Sequence, residues 1–351
     1  MRIAYVLGGL ALAMALAAGC GGGGERGDGP SADPVAATND TWSETVHAPC
    51  PSPSQRVQVT LDGRMGAENV GILMAEERGY FGDLGLHVWV ITPASPEDTA
   101  SYVAAGADDI GVTQEPMVVL TSAIGEPIVA IGSVIPGPTA AMMWLPGSGI
   151  ADVADLEGKT IATPGSPFQP EILEQVLARA GLTPEDVEIV EGAYRLVPTL
   201  LNGDVDAIFG GTSNLEGAAL EARGAKPVIT PVRELGVPAY EELVVIARPR
   251  CVAKHPEMYR HFMTAVSRGT AAAERDPRGA VRVIEESLEK DPKATRKDIE
   301  AQVEASLPLF SENGHMELGK ASDLVAWMHD AGMIERELPV RSLFTNDFLA
   351  R

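Results

Sequence analysis

Several polar clusters stand where short apolar runs give way to helical stretches: Gln114-Glu115-Pro116, Gly165-Ser166-Pro167-Phe168-Gln169, Tyr194-Arg195 and Tyr240-Glu241. Their types suit the non-covalent capture of a small solute. Gln114 and Glu115 offer polar contacts, although Glu115 would also be favourable at the positive end of a helix dipole. The segment around Ser166 offers backbone N–H groups at a helix start, which serve equally as an anion site or a simple cap. Phe168 is a ring for stacking or for the core. Arg195 beside Tyr194 can grip a carboxylate or sulfonate through two parallel hydrogen bonds, or remain solvated. Tyr240 and Glu241 fit a cleft wall or its structural support.

Covalent chemistry has no comparable signature. The chain lacks a Gly-x-Ser-x-Gly elbow, a Walker loop, His-Glu-x-x-His and a Cys-x-x-Cys pair. The histidines at 47, 87, 255, 261, 315 and 329 are scattered. His255 and His261, six apart, fall on different faces of a helix and make no metal pair. The expectation is a protein that is not an enzyme and carries no metal, no catalytic residue and no cofactor.

Composition narrows the partners. With 49 Asp and Glu against 27 Lys and Arg, the formal net charge is -22. Such a surface repels nucleic acid, and the charge is spread along the chain as on a soluble, self-repelling body. The N-terminus carries an address. Arg2 precedes an apolar run, Ile3 to Ala18, that is too short to span a bilayer and suits a signal segment. It ends Leu16-Ala17-Ala18-Gly19-Cys20, which is similar to a lipobox, with the large aliphatic residue one place early. Lipidation at Cys20 is the expectation, and plain cleavage the alternative. Residues 21–54, rich in Gly, Pro, Ser and Asp, read as a flexible linker. Cys50 and Cys251 then remain as an even pair in an oxidising compartment, either bridged or as two free thiols. A bridge closing so long a loop would stabilise the fold by roughly 4–5 kcal/mol.

The body alternates strands and helices, which implies parallel sheets with helices on both faces, an α/β class. Residues 55–140 read as the first part of lobe 1, 141–246 as lobe 2 with its hinge segments, and 247–351 as the completion of lobe 1 in helices. The extended apolar segments Ala140 to Leu145 and Glu242 to Ala247 are expected to be the two crossings between lobes. Closure about two crossings traps a ligand, and the loops beyond the strand carboxyl ends would hold it.

Five segments carry a family resemblance: Gly71-Ile72-Leu73-Met74-Ala75-Glu76-Glu77-Arg78-Gly79-Tyr80-Phe81 with Leu84-Gly85-Leu86; Val103 to Val112; Leu196 to Ile208; Gly236 to Val245; and Leu343 to Leu349. In order and content they resemble the thiamine pyrimidine precursor-binding family, related to the sulfonate, nitrate and taurine-binding proteins of ABC importers. The resemblance implies a type II periplasmic-binding-protein fold, two α/β lobes joined by two hinge crossings. It also implies a monomer outside the cytoplasmic membrane, held there by lipidated Cys20 and serving an ABC permease and its ATPase.

The resemblance also implies site residues. Asn214-Leu215-Glu216 matches an Asn-x-Glu that would place Glu216 in the cleft as an acceptor for N–H groups. After the first strand, family members carry Asp-Trp-x-Pro-Asn-x-Asn-His, where this chain reads Asp62-Gly63-Arg64-Met65-Gly66-Ala67-Glu68-Asn69. The aspartate is kept, but the stacking tryptophan is glycine, which removes about 0.5–1.5 kcal/mol of ring stacking. Asp62, Glu68, Glu115, Glu216 and Glu241 would gather carboxylates in one cleft, with Arg64 and Arg195 as counterweights. Such a cleft favours a ligand with N–H donors or positive charge over a sulfonate or taurine-type anion.

Overall fold

The computed structural model describes residues 49–52, 56–63, 65–95, 98–192, 195–288 and 295–349. The chain divides into two units, Met1–Ser43 and Glu44–Arg351, and every described residue belongs to the second. The signal segment, Cys20 and most of the linker lie outside the described residues, as do Arg64 and Tyr194.

The first lobe begins with β1 (Arg56–Thr60), α1 (Val70–Glu77), α2 (Tyr80–Asp83), β2 (His87–Ile91), α3 (Asp98–Ala105), β3 (Ile110–Thr113), α4 (Glu115–Ala123) and β4 (Val129–Ile135). The second contains β5 (Ala140–Trp144), β6 (Thr160–Thr163), α5 (Gln169–Arg179), β7 (Glu188–Glu191), α6 (Leu196–Asn202), β8 (Ala207–Thr212), α7 (Ala218–Ala222) and β9 (Val228–Pro231). The chain then returns through β10 (Leu243–Ala247) to α8 (Pro249–Lys254), α9 (Pro256–Arg275), α10 (Pro277–Ser287), α11 (Arg296–Ser306), α12 (Leu318–Asp330) and α13 (Val340–Leu343).

Two five-stranded sheets result, ordered β2-β1-β3-β10-β4 and β7-β6-β8-β5-β9. β1 pairs in parallel with β2 and β3, and β6 with β7 and β8. Each sheet also holds one strand running against its neighbours: β10 between β3 and β4, and β5 between β8 and β9.

This corrects the expected crossings. Ala140 to Leu145 and Glu242 to Ala247 contain interior strands, β5 and β10, each the first strand the chain lays down after changing lobe. All residues of both strands are buried, as strands covered on both faces must be, and that is why they read as continuous apolar runs. The crossings themselves are residues 136–139 and 232–242. The first is Pro136-Gly137-Pro138-Thr139, whose Gly137 has φ 97°, a conformation that a side chain strains.

Helix packing follows residue size. α9 opens with Pro256 at its first turn and buries Met258, Tyr259, Phe262, Met263 and Val266 on one face against α1. The two helices meet at glycine. A Cβ on Gly269 would stand 1.9 Å from the Gly71 carbonyl oxygen. Phe81 stacks on Phe262 with centroids 5.3 Å apart.

Cys50 and Cys251 form a disulfide, with Cα atoms 5.2 Å apart across a sequence separation of 201. It ties the entry of the folded body to α8. Beside it Arg248, 1% exposed, reaches the Pro49 carbonyl at 3.5 Å and the Asp109 carboxylate at 4.0 Å. Trp144 packs in the core, whereas Trp89 is exposed with the Arg56 guanidinium 3.8 Å over its ring.

Candidate functional site

Both lobes contribute to one cavity of about 240 Å³. Its first wall is the turn after β1. Leu61 is buried, and Asp62 follows it at the carboxyl end of the strand. A single 3₁₀ turn, Ala67–Asn69, then leads into α1 and carries Glu68. The Asn69 amide nitrogen lies between the two acids, donating to Asp62 Oδ1 at 3.0 Å and Glu68 Oε1 at 3.5 Å. Gly66 makes this possible, because a Cβ there would stand 3.0 Å from both Glu68 carboxylate oxygens.

The second wall is the end of β8. Ala141 pairs with Gly211 and Met142 with Phe209, so Gly210 is a bulged residue, and its φ is 82°. The bulge admits Gln169, whose Nε2 donates to the Gly210 carbonyl at 3.3 Å. A Cβ on Gly210 would collide with that amide at 2.6 Å. The chain next makes a π turn, Ser213–Gly217, a wide turn of the kind that gathers at functional sites. It presents Glu216, which accepts from the Thr212 amide at 2.7 Å and the Thr212 hydroxyl at 3.3 Å.

The return crossing supplies a fourth carboxylate. Glu242 Oε2 accepts from the Thr139 amide at 2.6 Å and the Ala140 amide at 3.2 Å, so one crossing clamps the other at the cavity wall. A third element closes the side. Asp298, Gln302 and Ser306 lie four residues apart on one face of α11, and all three hold the second lobe. Asp298 pairs with Arg223 through two bonds of 3.1 and 2.9 Å, Gln302 donates to the Leu215 carbonyl at 3.3 Å, and Ser306 Oγ accepts from Asn214 Nδ2 at 2.9 Å.

Burial raises the proton affinity of four of the five acids that line the cavity; the fifth, Asp298, is held below the usual range, despite burial, by its Arg223 and Thr295 bonds. Asp62 is pushed to about 6 by desolvation, against the opposing bond from Asn69. Desolvation, then repulsion from Asp62, drives Glu68 well above the usual carboxylate range. Glu216 and Glu242 rise for the same first reason. The cleft thus holds acids that have lost water without gaining a full set of donors.

Around the cleft, Glu68 Oε2, Asn69 Oδ1, Gln169 Oε1, Asn214 Oδ1 and the Thr139 hydroxyl are buried without a hydrogen-bond partner. The amide nitrogens of the same Asn and Gln residues are already engaged. Among the described lining residues none is aromatic, and the apolar wall is Met65, Leu196, Val197, Pro198, Leu215 and Leu288. No group of three or more His, Cys, Asp or Glu among the described residues converges as a metal site.

Of the residues singled out by sequence, Asp62, Glu68, Gln114, Ser166 and Glu216 line this cavity. Asn214 lines a smaller compartment that shares walls with it. Asn69 lies directly behind Asp62 and Glu68. Five are placed elsewhere. Phe168 packs in the second core, where α5 begins two residues later than a Ser166 cap would require. Tyr240 is buried in the same core. Glu115, 1% exposed, turns beneath the return crossing, accepts from the Glu241 amide and is pushed by burial to about 8. Glu241 accepts from the Ser133 hydroxyl at 2.7 Å rather than facing the cavity, and Arg195 is exposed. Glu242 was hidden by its apolar neighbours. Yet adjacent residues at a strand start point to opposite sides, so Glu241 and Glu242 could not both face one cleft.

A family model described as NMT1/THI5 like matches residues 67–280. The chain belongs to the NMT1/THI5-like family. Within it, the chain is 27% identical over 301 residues to the formylaminopyrimidine-binding protein of Halalkalibacterium halodurans, covering 83% of this chain and 90% of that one. It is also 27% identical to the 4-amino-5-hydroxymethyl-2-methylpyrimidine phosphate synthase of Schizosaccharomyces pombe, over 59% of this chain and 62% of the synthase. Among solved structures, the periplasmic aliphatic sulphonate binding protein of Escherichia coli superposes with a TM-score of 0.66 at 15% identity, covering 83% of this chain and 92% of that chain. This member of the NMT1/THI5-like family therefore has the periplasmic-binding-protein fold, with two α/β lobes.

Proposed function

We propose that the protein is an extracytoplasmic solute-binding lipoprotein that captures a small, donor-rich nitrogenous molecule between its lobes for an ABC importer. The observation that carries this reading is the acid-rich chemistry of the cleft: the carboxylates of Asp62, Glu68, Glu216 and Glu242 line it, each with its proton affinity raised by desolvation. Acceptors that have lost water and lack partners favour a ligand bringing N–H groups. The relative named as a formylaminopyrimidine-binding protein spans more of this chain than the synthase does, which supports binding over synthesis. A sulfonate would meet four acids, and the lining Arg223 is already held by Asp298. The cysteines further suit this location, Cys20 as the acylated end and Cys50 with Cys251 as a disulfide.

Native mass spectrometry of gently purified protein tests the ligand class. A co-purified nitrogenous small molecule is the expected result, and a co-purified sulfonate would overturn it. Cell fractionation tests the anchor: Cys20→Ala should release the protein from membranes, and retention would remove the lipid.

A further inference from the structure

The two lobes meet in two places, and the two are built differently. Beside the crossings the contact is largely apolar. One core runs through both lobes, taking in Val118 and Val244 of the first, Met142 and Phe209 of the second, and Tyr240 of the return crossing. At α11 the contact is a polar seam. This helix belongs to the first lobe by its apolar face, because Ile299 and Val303 are buried in the first core. Its polar residues reach the second lobe instead: Asp298 to Arg223, Gln302 to the Leu215 carbonyl, and Ser306 to Asn214. Leu215 adds apolar contact to the first core.

The ends of the ion pair differ in exposure. Asp298 is 2% exposed, and its Oδ2 also accepts from the Thr295 amide at 2.9 Å and the Thr295 hydroxyl at 2.8 Å. The carboxylate is thus held in place from its own lobe. Arg223 has a side chain 30% exposed and also lines the cavity, so it stands between solvent and the cavity. Parting an apolar core costs free energy in proportion to the area exposed. Polar groups regain water when parted, so the net hold of each bond is small. The lobes therefore separate most easily at α11, while the crossings stay packed.

We infer that the α11 seam is the gate of the cavity and that the Arg223–Asp298 pair is its latch. Each seam bond joins protein to protein, so closure here needs no solute atom. The latch sets how often the cavity opens to solvent, and so how fast a solute enters and leaves. A planar guanidinium donating two bonds to a carboxylate already held also fixes one orientation of closure, which a point charge would not.

Thiol labelling of the full chain tests this without any solute. Val197, 9% exposed, lines the cavity, and Val197→Cys places a thiol of similar size there. Alkylation by N-ethylmaleimide is followed by peptide mass spectrometry, which reads position 197 apart from Cys20. Adding Arg223→Met, which keeps an unbranched stem and removes the charge, should speed labelling at 197 at least about tenfold. Ser306→Ala, which loses one neutral bond of the seam, should speed it about fivefold. The control is Val245→Cys, at a buried position in β10, whose labelling should not change with Arg223→Met. Unchanged labelling at 197 in both seam variants would overturn the gate. An equal rise at 197 and 245 would overturn the latch, because Arg223 would then stabilise the whole fold. Either failure leaves the solute-binding function standing, and a sulfonate found by native mass spectrometry would leave the gate standing.

Discussion

The turn after β1 and the turn after β8 use the same residue types to opposite effect. Each follows the carboxyl end of a parallel-paired strand, and each carries an asparagine within two residues of a glutamate that lines the cavity. In the first lobe the asparagine acts inward. A tight 3₁₀ turn folds Glu68 back over Gly66, and the Asn69 amide bridges both acids of its own turn. In the second lobe a π turn opens the backbone, and Asn214 reaches across to Ser306 of α11 while Glu216 is held by Thr212. One asparagine calms a pair of acids within its own turn, and the other ties its turn to α11. The difference teaches that a side chain's role at the site is set by which donor its amide finds first, and that depends on the width of the turn.

The contrast breaks hardest at the asparagines. Asn69→Asp would replace the bridging donor with a third acid beside Asp62 and Glu68. It should destabilise the protein by about 3 kcal/mol above neutral pH and by less in mild acid. Asn214→Leu forfeits one neutral hydrogen bond, to Ser306, and should cost about 1 kcal/mol at either pH. Urea unfolding of both variants, at two pH values, checks the pair; equal costs would erase the distinction.

A pH profile sharpens the first turn further. Asp62 is raised from 3.8 to about 6, so between those values the folded state holds a proton that the unfolded state has released. Its contribution to stability is complete below the unfolded value and is lost as pH rises through the folded one. Free of ligand, the protein should lose on the order of 3 kcal/mol as pH rises through this window. Asp62→Asn should flatten the profile, and unfolding midpoints between about pH 4 and pH 7 would show it. Asp298 works in the opposite sense, its pKa being lowered despite burial by the Arg223 and Thr295 bonds, and its contribution fades in stronger acid.

In the second turn the effects are smaller. Glu216→Ala should weaken the solute found by native mass spectrometry about tenfold, as for one lost charged hydrogen bond. Unchanged affinity in a calorimetric titration would remove Glu216 from the site. Ser306→Ala should cost about 1 kcal/mol in thermal or urea unfolding, and it should leave the pH dependence assigned to Asp62 intact. A change in that dependence would show that the two turns act as one.

Much of this was legible along the chain. Val57 and Val59 alternate with Arg56 and Gln58, and α9 begins and ends where its proline and spacing place it. The two lobes and the acidic character of their cleft followed from strand–helix order and from residue types. The wall contributed by α11 was visible only as a spacing of four among Asp298, Gln302 and Ser306, a pattern that any solvated helix face also shows. Glu242 was obscured because β10 is buried on both sides and its alternation is lost.

Local chemistry fixed what depends on neighbours in sequence: the helices, the strands, the glycines at tight turns and the surplus of acid. Which acids meet was decided by tertiary structure, because a carboxylate's surroundings come from other strands and helices. Glu241 and Glu242 are adjacent and alike, yet the strand's two-residue period sends one to Ser133 and the other to the cavity. Cys50 and Cys251 likewise were only an even pair until the fold brought their Cα atoms 5.2 Å apart, a distance that no local rule over so long a loop can set.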